Sequence, residues 1–339
     1  MLELHLRVDD LAMKRPFAIH GYVFDSMPSV VVALSDGRHS GRGEAAGVYY
    51  LQDDPANMTD MIEGVRSEVE AGLTRDALQR LLPPCGARNA LDCALWELEA
   101  ARAGQPVWRL AGLKTVKPLV TTLTAGADHP DVMAETARSF GDAKAIKLKL
   151  TGDPDLDVRR VQAVRAACPE AWLGVDANQG YMIESLREVL PHFVRSRVEL
   201  VEQPLARGRE ADLDGFSSPI PLAADESALS LADLAGLVGR FDVVNIKLDK
   251  CGGLTEALAM VDRARALGLG VMVGNMAGTS WAMAPAFIVG QSCEVVDLDG
   301  PISLKKDRSP AVEYRDGEIW CDDAVWGRGV DADTPPAPY

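Results

Sequence analysis

Ala145-Ile146-Lys147-Leu148-Lys149, Leu173-Gly174-Val175-Asp176 and Val198-Glu199-Leu200-Val201-Glu202 are short, largely apolar runs that each end on a charged residue. Pro221-Leu222-Ala223-Ala224-Asp225, Val243-Val244-Asn245-Ile246-Lys247 and Val295-Val296-Asp297 repeat the pattern. A buried parallel strand reads as continuous hydrocarbon, so a charge at its C-terminal end is costly unless that end opens onto a site. The terminal charges follow one another at intervals of 27, 26, 23, 22 and then 50 residues. Each short interval is the length of a strand, a helix and two loops, and the last holds two such units. A (β/α) barrel is predicted. Leu119–Thr124 and Leu269–Val273 supply the two strands that complete eight. Helices such as Leu156–Ala167 run between them, with Val158, Val161 and Val164 on one face and Asp153 or Asp155 as N-cap. Active sites of such barrels lie at the strand C-termini, so the charges converge on one mouth.

The chain has 339 residues, 47% of them hydrophobic and 25% charged, enough for a large core and too long for the barrel alone. Residues 1–115 are expected to form an α+β capping domain, with strand-like Leu2–Val8 and Ser29–Leu34 and a periodic helix, Ala87–Ala103, whose Leu91, Ala94, Leu95 and Leu98 read as core packing. The barrel domain is expected over 116–301. The segment 302–339 packs back on the capping domain and ends in a Pro-rich tail, Thr334–Tyr339, expected to fray. Met1–Arg15 shows no export signal, and no apolar run is long enough to span a bilayer. The six cysteines form no CxxC pair and read as reduced thiols, so a cytoplasmic location is expected. The formal net charge of −15 argues against nucleic acid or an anionic membrane as partner. A small molecule is the expected ligand, and self-association into a homo-oligomer stays open.

Asp176, Glu202 and Asp225 end three consecutive strands and can meet at one point. Three carboxylates that close need a cation, and hard oxygen donors select Mg²⁺ or Mn²⁺. A single aspartate after a strand is common as a helix N-cap; three in register are not. Asn178 and Glu226 flank the ligands and are expected to orient them. None of the five histidines stands at a strand end, which disfavours a zinc site or a histidine base. With Leu119–Thr124 as strand one, Lys149 and Lys247 end strands two and six, diametrically opposite in a ring of eight. A ligand over the metal then has an amine on each face, and a neutral amine is what a general base requires. Lys147 lies two residues before Lys149 and points the same way.

Lys147-x-Lys149, Val175-Asp176-Ala177-Asn178, Val201-Glu202-Gln203-Pro204, Ala224-Asp225-Glu226-Ser227 and Asn245-Ile246-Lys247-Leu248-Asp249-Lys250-Cys251-Gly252-Gly253-Leu254 together resemble the enolase superfamily, muconate-lactonizing-enzyme subgroup. Arg88-Asn89-Ala90-Leu91-Asp92-Cys93-Ala94-Leu95-Trp96-Glu97-Leu98 is similar to that family's helix. The resemblance covers nearly the whole chain. It implies an α+β N-terminal capping domain on a modified (β/α)₇β TIM-like barrel, with one Mg²⁺ on the three acids. Within the subgroup, Asp297-Leu298-Asp299 resembles the pair with which dipeptide epimerases of the L-Ala-D/L-Glu type hold a substrate's free α-amino group; two acids one residue apart face one side and suit an ammonium. The implied reaction is a 1,1-proton transfer between Lys149 and Lys247, with Thr124 contacting the peptide.

Members of this family that act on Ala-Glu are expected to present an arginine from a flexible capping-domain loop. Here that loop is Ile19–Pro28, and the matching position is Phe24. Tyr22, Phe24 and Met27 point to an apolar or aromatic side-chain pocket, and Asp25 leaves a cationic one open. Three other readings stand beside this one. An N-succinylamino acid racemase, o-succinylbenzoate synthase or cycloisomerase of the same superfamily shares the acids and lysines but has no use for Asp297 and Asp299. A Schiff-base aldolase uses Lys247 as nucleophile but has no need of three metal-site carboxylates. A non-catalytic dipeptide-binding barrel binds without exchanging the ligand's α-hydrogen.

Overall fold

The computed structural model describes residues 1–328 and the backbone of Val330 and Asp331; the tail Thr334–Tyr339 lies outside the described residues. Eight parallel strands form a nearly closed barrel: Thr122–Ala125, Ala145–Lys149, Trp172–Asp176, Leu200–Glu202, Leu222–Ala224, Val243–Ile246, Gly270–Val273 and Val295–Val296. Each pairs in parallel with its sequence neighbour. Among the described residues no backbone ladder joins the first strand to the eighth. Side chains bridge that seam: Thr122 Oγ1 donates to Asp297 Oδ1 (2.5 Å), Thr121 Oγ1 accepts from the Leu298 amide (3.0 Å), and Asp299 Oδ2 accepts from the Thr124 amide (2.7 Å).

Three expectations are corrected. Leu119–Val120 is not part of the first barrel strand; it pairs antiparallel with Glu318–Trp320 in a separate three-stranded sheet. The chain crosses from one sheet to the other at Thr121, whose side chain is spent on the seam. The crossovers after the fourth and fifth strands contain only single turns, Glu210–Leu213 and Leu234–Leu237, where Gly208, Gly215, Pro219, Gly236 and Gly239 interrupt helix propagation. The segment Ile19–Pro28 is not a loop but the tip of a hairpin between Glu3–Ile19 and Tyr22–Ser35, turning on His20-Gly21 with Gly21 at φ +76°. The helix expected at Leu156–Ala167 starts at Pro154, with Asp153 accepting from the Leu156 amide as its N-cap.

The capping sheet continues from Tyr22–Ser35 to His39–Ala45, and Val330–Asp331 adds to its edge. The helix Gly86–Ala103 packs on this sheet so closely that a β-carbon at Gly43 would lie 1.9 Å from the Ala90 carbonyl oxygen. Far from packing through apolar residues alone, the helix locks the two domains together with buried polar groups. Arg88 donates to the carbonyls of Cys251 (2.6 Å) and Gly252 (3.1 Å) and pairs with Glu256. Asp92 accepts from the Thr255 amide (2.9 Å) and hydroxyl (2.6 Å), capping the barrel helix Leu254–Ala266 from the other domain. Gly252 and Gly253 are required here: both have positive φ, and a β-carbon on Gly253 would sit 2.6 Å from Asp92. A second contact buries Glu44 against Thr279 and Arg308, and Asp249 accepts from the Gly47 amide (2.9 Å). All six cysteines are free, and no helix among the described residues is long and apolar enough to cross a membrane.

Asp92→Ala removes a helix cap and leaves the Thr255 amide and hydroxyl without their acceptor. Denaturant unfolding should show a loss of about 2–4 kcal/mol, and a loss below about 0.5 kcal/mol would show that this interface contact does not hold the domains.

Candidate active site

The barrel's parallel register brings the strand-end charges level with one another: Lys149 pairs with Asp176, and Asp176 with Glu202, as neighbouring Cα partners. Asp176, Glu202 and Asp225 are at most 2% exposed, and one oxygen from each lies within 4.8 Å of the others. Three hard carboxylate oxygens in that cluster fit a Mg²⁺- or Mn²⁺-type cation, and the expected ligands thus come together.

Four lysines surround the cluster. Lys149 Nζ lies 2.7 Å from Asp176 Oδ2, and Lys247 Nζ 2.7 Å from Asp225 Oδ2. Lys147 reaches Asp176 (3.1 Å), Glu202 (2.7 Å) and Asp297 (2.8 Å), and Lys250 reaches Asp225 Oδ1 (2.6 Å). Burial works against ionisation of Asp176, but Lys149 and Lys147 outweigh it and bring its carboxyl down to about 2. Burial is likewise outweighed at Asp225, which Lys247 and Lys250 hold well below the ordinary carboxylate range. Glu202 goes the other way, pushed up to about 7 by burial and by the Asp176 charge. Burial disfavours charge on Lys147 and Lys247, yet the surrounding carboxylates raise both, so in this arrangement each amine is a counterion.

The two flanking residues, Asn178 and Glu226, stand differently toward the acids. Asn178 supports Asp176 through its backbone amide (2.9 Å to Oδ1) at φ +42°, while its own side-chain oxygen is buried without a hydrogen bond. Glu226 is buried, makes no hydrogen bond to the ligands, and is pushed up to about 8 by burial and by Asp225 and Asp176. Asp297 and Asp299 meet the first strand. Asp297 has both oxygens engaged, by Thr122 and Lys147; Asp299 is pushed up to about 6 by burial and the Asp297 charge. Thr124 lies beside them through its amide.

Phe24 belongs to an aromatic cluster. Its ring stacks on Tyr22 (6.0 Å between centroids, 9° between planes) and meets Tyr49 edge-on (5.1 Å). Tyr49 lies within electrostatic reach of Lys247, Glu226, Asp225 and Asp176, and burial above all raises its hydroxyl. Phe24 also joins Met27 and Phe17 in packing around Leu11, Met13 and Leu304. The hairpin tip docks on the barrel through His20 Nδ1, 2.8 Å from the Thr151 carbonyl, and the Ala18 carbonyl, which accepts from the Ala127 amide.

Several neighbours of the acids were not among the expected site residues. Asn245 Nδ2 donates to Glu202 Oε1 (2.8 Å), and Gln203 Oε1 accepts the Asp225 amide (2.9 Å). Asn245 is a polar residue inside an otherwise apolar strand, which was its readable signal; Tyr49 carries none, because only the fold brings it near.

Residues 4–112 match the sequence profile of the mandelate racemase/muconate lactonizing enzyme N-terminal domain, and residues 132–335 that of the enolase C-terminal domain-like family. An L-Ala-D/L-Glu epimerase of Escherichia coli strain K12 is 40% identical, over 86% of this chain and 90% of its own. An N-acetyl-D-glutamate racemase of a Pseudoalteromonas species is 36% identical, over 88% and 95%. A solved structure of an Agrobacterium tumefaciens enolase family member, described as having homology to dipeptide epimerases and binding sodium and L-Ala-L-Glu, superposes with a TM-score of 0.93 at 38% identity, covering 96% of this chain and 100% of that one. The chain belongs to the mandelate racemase/muconate lactonizing enzyme family of the enolase superfamily.

Proposed function

We propose that this chain is a dipeptide epimerase that inverts the α-carbon of a dipeptide's C-terminal residue by two-lysine 1,1-proton transfer. The observation that carries the reading is that Lys149 ends the second barrel strand and Lys247 directly follows the sixth, each against the same buried carboxylate cluster. Asp176, Glu202 and Asp225 would hold Mg²⁺, with Mn²⁺ as a substitute. When bound, the cation supplies positive charge for the substrate carboxylate and for the negative charge that develops there as the α-proton leaves. With the acids neutralised in that way, Lys149 and Lys247 would no longer be needed as their counterions, and one amine would be free to act as base.

Lys149 then takes the α-proton from one face; the C–H electron pair moves into the carboxylate, and Lys247, protonated, returns a proton to the other face. The reverse reaction exchanges their roles. Lys147 and Thr124 contact the substrate, Asp297 and Asp299 its free ammonium, and Phe24 with its aromatic neighbours an apolar or aromatic side chain. The reading places the enzyme in the cytoplasm. The similarity to an N-acetyl-D-glutamate racemase supports a second reading, an N-acylamino acid racemase. Asp297 and Asp299 favour the dipeptide, because a neutral amide brings no positive charge to offset theirs, whereas a free ammonium does.

Chelation should abolish epimerisation and Mg²⁺ restore it, whereas Glu202→Gln should resist restoration at millimolar metal; full turnover in excess chelator removes the metal from the scheme. In D₂O, Lys149→Ala should stop α-hydrogen exchange for one epimer by on the order of 10³-fold while the other still washes in deuterium, and Lys247→Ala should do the opposite. Equal loss for both epimers in both variants speaks against two bases. N-acetylating the dipeptide should lower kcat/KM on the order of 100-fold, about 3 kcal/mol, because two acids lose a charged partner. Phe24→Arg should shift preference toward acidic C-terminal residues. N-acyl amino acids outperforming free dipeptides would replace this reading with the racemase.

A further inference from the structure

Lys250 is a lysine for which the proposed chemistry has no use. It sits on the single-turn helix Leu248–Cys251 just after Lys247, and its side chain is wholly inaccessible. All three hydrogens of its ammonium have acceptors: Asp225 Oδ1 at 2.6 Å, the Asp225 backbone carbonyl at 2.6 Å and the Asn245 backbone carbonyl at 2.9 Å. An amine so committed and so enclosed can neither accept a substrate proton nor attack a carbonyl. What it does instead is fixed by geometry. By gripping both the carbonyl and the carboxylate of one residue, it restricts rotation of the Asp225 side chain, and with Oδ1 taken it leaves Oδ2 turned to Lys247 (2.7 Å).

Asn245 does the corresponding work for Glu202. Its Nδ2 donates to Glu202 Oε1 at 2.8 Å, and its backbone carbonyl is one of the three Lys250 acceptors. The neighbouring strand end makes room for this arrangement: a β-carbon at Gly274 would lie 2.7 Å from Asn245 Oδ1 and 3.0 Å from Lys247 Cε. The sixth strand and the turn after it thus carry one catalytic candidate, Lys247, and two residues on either side of it that hold the carboxylates of the fourth and fifth strands.

We infer that Lys250 and Asn245 are positioning residues that pre-orient Asp225 and Glu202 and thereby set the affinity of the carboxylate cluster for its divalent cation. The inference rests on the metal role proposed above for those acids. Two simpler accounts predict something else. As a mere core filler, Lys250 could become methionine without changing metal binding. As a mere charge, its ammonium repels a dication, so its removal would tighten binding. Only positioning predicts a loss, because an unrestrained ligand must be ordered when the metal arrives, and groups that orient metal ligands typically contribute 10–100-fold in affinity.

The test is Mn²⁺ titration of the metal-stripped full chain, read by the electron paramagnetic resonance signal of free Mn²⁺, with thermal unfolding in chelator to verify the fold. Wild type should bind one Mn²⁺, and Lys250→Met and Asn245→Leu should each weaken it by about 10–100-fold. Should Lys250→Met not fold, Lys250→Gln, which keeps two N–H donors but no charge, serves for the same comparison. Unchanged or tighter binding in a folded Lys250 variant, or unchanged binding in Asn245→Leu, overturns the positioning role. Failure of the wild type to bind Mn²⁺ would instead overturn the metal assignment itself, a distinct result.

Discussion

Crowding like charges into a buried barrel mouth is the constraint on which this structure depends. Ionised oxygens within 4.8 Å of one another repel by at least about 3 kcal/mol per pair at an effective dielectric near 20, before any cost of burial. The protein meets that constraint with four lysines, 147, 149, 247 and 250, set against four carboxylates, 176, 202, 225 and 297. The acids left over, Glu226 and Asp299, are pushed upward toward the neutral form. Two of the four cations come from the second strand and two from the sixth strand and its turn, so positive charge flanks the acid cluster from opposite sides of the ring.

Such a cluster demands rigid walls, and the domain interface supplies them. The contacts between capping domain and barrel are directional and buried: Arg88 to the Cys251 and Gly252 carbonyls, Asp92 to Thr255, Asp249 to the Gly47 amide, Glu44 to Thr279 and Arg308. Three of these four converge on the ten residues after Lys247. Buried polar contacts hold one geometry because every alternative leaves a donor or acceptor unpaired. The turn they fix from the capping side, Gly47 to Asp53, also carries Tyr49 to the mouth.

The charged cluster and the aromatic cluster beside it are built on different parts of the chain. The acids and lysines stand at the ends of barrel strands and in the turns just after them, with their spacing set by the ladder. The aromatic rings of Tyr22, Phe24 and Tyr49 project from the capping domain, and the hairpin bearing two of them touches the barrel by His20–Thr151 and Ala18–Ala127. Substitution at the rings leaves untouched the ladder that aligns the acids.

The barrel and its charged mouth were legible in the sequence because a buried parallel strand has one permitted composition, so Asp176, Glu202, Asp225, Lys149 and Lys247 each stand out against hydrocarbon. The interval between them announced the crossover, and Asp153 announced its helix. What the sequence left dark has a common cause: contacts between residues far apart in the chain leave no local pattern. Leu119–Val120 reads as barrel strand until Glu318–Trp320 claims it. Tyr49 and Lys250 read as ordinary turn and helix residues, and nothing local says that Asn178 would meet Asp176 through its backbone amide. Periodicity and composition determined the fold and the charged groups at its mouth; how the buried charges pair, and which of them are spent on one another, was decided only when the strands closed into a ring and the capping domain covered it.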